Sequence, residues 1–226
     1  MVANIKSFGI SGINAFLVDV EADISRGVPV FDIVGQGDCA VRESKERVRA
    51  AIKNQGFDFP MGRIIINLAP AGKRKQGSSL DLPVAISILT AMGIIPHDRL
   101  KNIAFTGELS LEGNLRRVNG TLPMAVDARN AGFKRLILPK ANAVEASIVD
   151  GIEILGAENL RQAVSFIFDD EEELHFTHNF NELYSGRTEN LGEDFSQVAA
   201  QEQVKRVLEI AASGGHNVLI LWHNSK

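Results

Sequence analysis

The stretch Arg63-Ile64-Ile65-Ile66-Asn67-Leu68, stopped by Ala69-Pro70-Ala71-Gly72 and followed by the helical periodicity of Asp81 to Met92, decides the fold class. A short apolar run rich in β-branched residues and closed by Pro and Gly reads as a buried strand. The segment after it places apolar residues at helical spacing, with Pro83 tolerated in the first turn. A strand followed by a helix of this kind is the repeating unit of a layered α/β fold.

Working upstream, Phe16-Leu17-Val18-Asp19-Val20-Glu21 partly alternates, Ser25-Arg26-Gly27 supplies a turn, and Val28 to Val34 is mostly β-branched or aromatic, so residues 4 to 34 are predicted to form a strand meander. Asp38 is placed to cap a helix whose apolar face carries Val41, Val48, Ala51 and Ile52 and which ends near Gly56. Downstream, Ile103 to Leu109 and Leu115 to Val118 read as the arms of a hairpin turned at Glu112-Gly113-Asn114. Thr121 opens a helix that stops at Gly132, Arg135 to Leu138 is a strand, and Ala143 to Ile148 a helix. Ile152 to Leu155 is a further strand, and Asn159 caps a helix through Phe168. The acidic and polar residues 169–193 lack sustained periodicity and read as a linker. Beyond it Ser196 to Ser213 is helical, Gly214-Gly215 ends the helix, and Asn217 to Leu221 is a strand that needs partners. The expected architecture is α/β, or α+β, with a mixed sheet and packed helices over residues 1–168, a linker over 169–193, and a further fragment over 194–226.

Composition narrows the function classes. Forty-five per cent hydrophobic residues in 226 are enough for a substantial core, and no apolar run approaches the roughly 20 residues of a membrane-spanning helix. Met1 to Lys6 lacks the pattern of a secretory signal, which sets a cytoplasmic expectation. A single cysteine, Cys39, provides neither a disulfide nor a paired metal or redox motif, and reads as a buried structural residue. No metal-ligand spacing stands out. The net charge of −4 leaves local basic patches open but excludes a strongly basic nucleic-acid domain.

Several strings occur together and in order: Gly27-Val28-Pro29 with Ile33-Val34-Gly35, Ala40-Val41-Arg42-Glu43-Ser44-Lys45-Glu46-Arg47-Val48-Arg49, Ile66-Asn67-Leu68-Ala69-Pro70-Ala71, Asp81-Leu82-Pro83-Val84-Ala85, and Gly107-Glu108-Leu109. Gln201-Glu202-Gln203-Val204-Lys205-Arg206 and Ala211-Ala212-Ser213-Gly214-Gly215-His216-Asn217 continue the series. This set resembles the ComM/YifB family, often labelled magnesium-chelatase-like, over almost the whole chain. The resemblance implies an N-terminal domain of the Lon-protease fold followed by an AAA+ motor, here only its beginning. For full-length members it implies ATP and Mg²⁺ as cofactors and ATP-driven DNA branch migration, in support of natural transformation.

Lon-type peptidases pair a serine nucleophile with a desolvated lysine base. Setting Thr106-Gly107-Glu108 on the matching Lon strand, with no gap in the intervening helix, places Asp81 at the serine position and Met124 at the lysine position. Neither can perform the chemistry, since a thioether does not titrate and a carboxylate is a poor replacement for an activated hydroxyl. Asp81 is read as a helix first-turn acid, Ser78 and Ser79 as caps of the same helix. A substitute dyad of Ser78 or Ser79 with Lys73 or Lys75 is disfavoured because the lysines read as exposed.

A Walker A loop requires Gly-x-x-x-x-Gly-Lys-Ser/Thr after a strand. The sequence following Asn217 to Leu221 is Trp222-His223-Asn224-Ser225-Lys226, with no glycine, so no ATP site is expected here. A truncated or frame-shifted product, or an artificial chain end, is the expected cause. Val198 and Gln201, which match a segment flanking adenine in AAA+ modules, are expected to be remnants without a phosphate anchor.

The basic candidates for DNA are Lys73-Arg74-Lys75 on a loop, the helical stripe Arg42/Lys45/Arg49/Lys53, and Arg116-Arg117 on the hairpin. No aromatic residues are interleaved with them for base stacking. The competing reading is a catalytically silent Lon-like assembly or protein-interaction domain that self-associates.

Overall fold

The computed structural model describes residues 2–75, 77–168 and 195–221. The chain divides into two compact units, Met1–Asn179 and Phe180–Lys226. The expected linker at 169–193 lies outside the described residues.

The first unit is a three-layer α/β structure. Its sheet has seven strands: β1 (Ala3–Ser11), β2 (Asn14–Ser25), β3 (Val30–Val34), β4 (Arg63–Ala69), β5 (Ile103–Phe105), β8 (Arg135–Pro139) and β9 (Glu153–Ala157), in the order β3-β4-β2-β1-β5-β8-β9. A two-stranded ribbon, β6 (Glu108–Leu109) with β7 (Leu115–Arg116), stands apart. The β1–β2 and β2–β4 pairs are antiparallel, whereas β3–β4, β1–β5, β5–β8 and β8–β9 are parallel. The expected meander therefore does not form: β4 inserts between β2 and β3. Parallel pairing of β3 with β4 requires a crossover, which helix α1 (Cys39–Asn54) supplies.

Helices α2 (Asp81–Ala91), α3 (Thr121–Asn130), α4 (Lys140–Ala146) and α5 (Leu160–Phe168) complete the layers. The side chains of α1, α2 and α5 share one apolar cluster, and Met124, Ala125, Ala128, Ala143 and Ala146 of α3 and α4 belong to a second. β8 alternates between them, with Leu136 and Leu138 in the second cluster and Ile137 in the first. A strand buried on both faces reads as a continuous apolar run for this reason. Helix α2 is buried at every position from Asp81 to Thr90, so it is the central element of its layer and not an amphipathic surface helix.

Caps explain the helix starts that were read correctly. The Asp38 carboxylate accepts from Val41 N–H at 2.9 Å, and the Asn159 side chain accepts from Gln162 N–H at 2.9 Å. Helix α2 differs: neither Ser78 nor Ser79 caps it through its side chain. The free Leu82 N–H instead donates to the Gly107 carbonyl at 2.9 Å, while Gly107 N–H donates to the Ser79 carbonyl at 2.8 Å. This exchange breaks the single strand expected over 103–109 into β5 and β6. Cys39 is exposed at the start of α1, correcting its expected burial.

The turn after β4 is organised by Lys75, which is 1% exposed, contrary to the expectation of an exposed basic loop. Its ammonium donates to the carbonyls of Gly35 at 3.0 Å, Leu68 at 2.8 Å and Pro70. An ammonium has three protons, and each finds an oxygen. Burial lowers the Lys75 pKa, and the three carbonyls are what make a buried cation tolerable. Gly35, at φ +104°, brings the chain so close that a Cβ there would lie 2.2 Å from the Leu68 carbonyl oxygen.

The second unit contains a short 3₁₀ turn (Phe195–Gln197) and helix α6 (Glu202–Gly214). Positive φ angles at Ala200 and Gln201 interrupt the single helix expected over 196–213. Gly215, at φ +63°, ends α6 as expected. Asn217 to Leu221 forms no strand, because no described residue pairs with it. No helix among the described residues is long and apolar enough to cross a membrane.

Lys75→Met should lower unfolding stability by about 2–3 kcal/mol, because it leaves buried carbonyls without donors. Urea unfolding checks this, and a loss under about 0.5 kcal/mol would mean that the carbonyls find water instead.

Candidate functional site

Open sheets with parallel strands place ligand crevices at the carboxyl ends of those strands. A cleft of about 570 Å³ in the first unit lies there, beside Ile10 near the end of β1 and Glu108 shortly after β5. Ser78, Ser79, Arg117, Asn119 and Met124 also line it. Met124 is 1% exposed and belongs to the apolar part of the wall. The Ser78 hydroxyl donates to Glu108, and Glu108 lies 3.6 Å from Arg116.

Asp81 does not line this cleft. Its carboxylate is turned toward α1, where Arg47 Nε donates to Oδ2 at 2.8 Å and Arg47 Nη2 to Oδ1 at 3.1 Å. Leu109 N–H donates to Oδ2 at 3.2 Å, so the group joins α1, α2 and β6. Asp81 is fully buried, and burial pushes its pKa up to about 6 against the opposing influence of Arg47 and Leu109 N–H. Arg47, whose side chain is 22% exposed, is raised by the same bond. The two shifts differ in cause because only the carboxylate is wholly removed from water. Sequence reading assigned Asp81 to a helix macrodipole and missed Arg47, which stands 34 residues earlier.

The fold gives the basic candidates different surroundings. Lys45 pairs with Asp32 at 3.0 Å, and the Arg49 guanidinium lies over the Phe59 ring, 5.2 Å from its centroid. Arg116 pairs with Glu108, and Arg117 lies 3.4 Å from Glu145. Lys75 is internal. Lys73, whose ammonium sits 4.7 Å above Phe16, and Arg74 remain at the surface of their turn. In the second unit Val198 and Gln201 are exposed. Among the described residues no group of His, Cys, Asp or Glu side chains is arranged to hold a metal ion.

Comparison with known proteins gives two family matches. Residues 20–142 match the family described as subunit ChlI of Mg-chelatase, and residues 194–223 match magnesium chelatase, subunit ChlI. The competence protein ComM of Haemophilus influenzae is 38% identical over 223 residues, covering 97% of this chain and 43% of that protein. The YifB protein of Escherichia coli is 38% identical over 210 residues, covering 93% of this chain and 40% of that protein. The archaeal Lon protease of Methanocaldococcus jannaschii is 27% identical over 171 residues, 71% of this chain and 26% of that protein. The chain thus spans about two fifths of the length of its ComM and YifB relatives.

Arg47→Leu should cost about 3–5 kcal/mol, because it strands a buried carboxylate. The double change Arg47→Leu/Asp81→Leu should cost less than the single one, and equal or greater loss in urea unfolding would contradict this account. The raised pKa of Asp81 also sets a sign. Well below pH 4 the group is neutral in both folded and unfolded chains. From about pH 4 to about pH 6 only the folded chain keeps the proton, so the stability of the wild type relative to Asp81→Asn should fall by about 2–3 kcal/mol as pH rises from 4 to 7. Paired unfolding curves across that range check it, and a rise instead would show that Arg47 dominates.

Proposed function

Because the chain belongs to the ComM/YifB group of the magnesium-chelatase ChlI family, we propose that it is the non-catalytic front part of an ATP-dependent DNA-processing protein of the ComM type, acting in the cytoplasm. Branch migration during natural transformation is the activity we assign to the whole protein. These 226 residues contain no Gly-x-x-x-x-Gly-Lys-Ser/Thr sequence, and by themselves they do not hydrolyse ATP.

The observation that carries the absence of peptidase chemistry is the pairing of Asp81 with Arg47. At the position where resemblance to Lon peptidases calls for a nucleophile, this chain has a carboxylate committed to a structural ion pair and facing away from the cleft. Where a base is called for, it has Met124. A proton acceptor within reach of an activated hydroxyl is the minimum for such a reaction. The remaining hydroxyl–carboxylate contact, Ser78 with Glu108, has no lysine in the cleft.

The purified chain should cleave neither unfolded casein nor a fluorogenic peptide above the buffer rate, and should not release phosphate from Mg-ATP. Cleavage that disappears in Ser78→Ala would make the Ser78–Glu108 pair a working centre and overturn the reading. Phosphate release from the homogeneous chain would overturn its second half.

A further inference from the structure

Three clefts at the carboxyl ends of the sheet strands and around the turn after β4 share walls. The main cleft carries Arg117 and shares Ile10 and Gly12 with a second cleft of about 390 Å³, which carries Lys73 and Arg74. Arg74 in turn is shared with a third, of about 280 Å³, lined also by Arg42. Four cations thus line three clefts that share wall residues, on a protein whose net charge is −4.

We propose that this run of Arg42, Arg74, Lys73 and Arg117 is a track for the phosphate backbone of DNA. The proposal rests on the reading of the chain as part of a DNA-processing protein, and deepens it by naming the surface that would hold the strand.

Several observations favour that ligand. The cations are in series, not converging on one point, which suits a chain of regularly repeated single negative charges more than a compact anion. Among the described residues Arg74 has no acidic partner, and the Arg42 side chain donates to the Gly37 carbonyl alone, at a long 3.4 Å. The Arg117–Glu145 pair is exposed, and pairs of that kind contribute little, so a phosphate can compete for the arginine. The two carboxylates in the walls are already engaged: Asp38 accepts from Val41 N–H and Gly77 N–H, and Glu108 from Ser78. The Lys75 ammonium fastens the turn from inside, so Lys73 and Arg74 are presented on a braced segment and lose little freedom on binding. Phe16, the aromatic ring in these walls, is already covered by Lys73, which leaves no stacking platform for bases. Binding should therefore be independent of sequence.

The test is fluorescence anisotropy of a labelled single-stranded oligonucleotide with the whole chain, titrated at several salt concentrations. Affinity should fall with salt, with a slope of about −2 to −3 in log K against log salt if three or four phosphates are contacted. Lys73→Ala/Arg74→Ala/Arg117→Ala should weaken binding at low salt by about tenfold or more and flatten the slope by about 2. The control Lys101→Ala/Arg129→Ala/Lys134→Ala removes the same charge at the opposite end of the sheet and should leave both quantities near the wild type. Circular dichroism melts verify that both variants fold. Equal loss in the two variants, or no binding by the folded wild type, overturns the track and leaves the absence of peptidase and ATPase activity standing. Displacement of the oligonucleotide by poly-glutamate at equal charge concentration would assign the surface to acidic peptides and also overturn it. Peptidase activity with DNA binding intact would overturn the functional reading alone.

Discussion

A carboxylate removed from water has to be met by donors, and the way Asp81 is met constrains much of the first unit. Arg47 reaches it from α1, and Leu109 N–H from the ribbon that follows β5. The start of α2 is thereby fixed in direction as well as position, since Gly107 clasps the same turn through Leu82 and Ser79. With its first turn held this way, a helix buried on every side can lie between α1 and the sheet without any polar face of its own. The arrangement also determines what the neighbouring cleft can contain. A side chain drawn toward Arg47 is unavailable to the cleft, whose wall instead carries Ser78, Ser79, Glu108, Arg117, Asn119 and Met124.

What the sequence disclosed follows from how local each signal is. Caps at Asp38 and Asn159 work within three residues, and both were readable because nothing distant competes with them. The apolar runs of β4 and β8 were readable because burial on both faces leaves them uninterrupted. The order of β2, β4 and β3 was not, since strand insertion depends on where the α1 crossover lands and not on any property of the strands themselves. Ser78 and Ser79 have the composition of caps, yet a carbonyl 25 residues beyond the Leu82 N–H does the work instead.

The site was half legible for the same reason. Resemblance to Lon peptidases located Asp81 and Met124, and the chemistry of those side chains was enough to question catalysis. The role of Asp81 was not legible, because its partner lies on another helix and was hidden among the alternating charges of α1. Lys75 was misread for the opposite cause: beside Lys73 and Arg74 it looks like one member of an exposed basic run, and only the convergence of the β3 and β4 ends reveals an interior with three oxygens to spare.

The enclosure of Lys75 gives the turn a chemical identity different from its spelling. A primary amine reacts with acylating reagents through its free lone pair, and one whose protons are all held by carbonyls, at 1% exposure, presents none to them. Trypsin likewise must draw a basic side chain into its own pocket before it can cut. To a reagent, a modifying enzyme or a protease, Lys73-Arg74-Lys75 in the folded protein is a two-residue basic segment, and the third position registers only once the fold has opened.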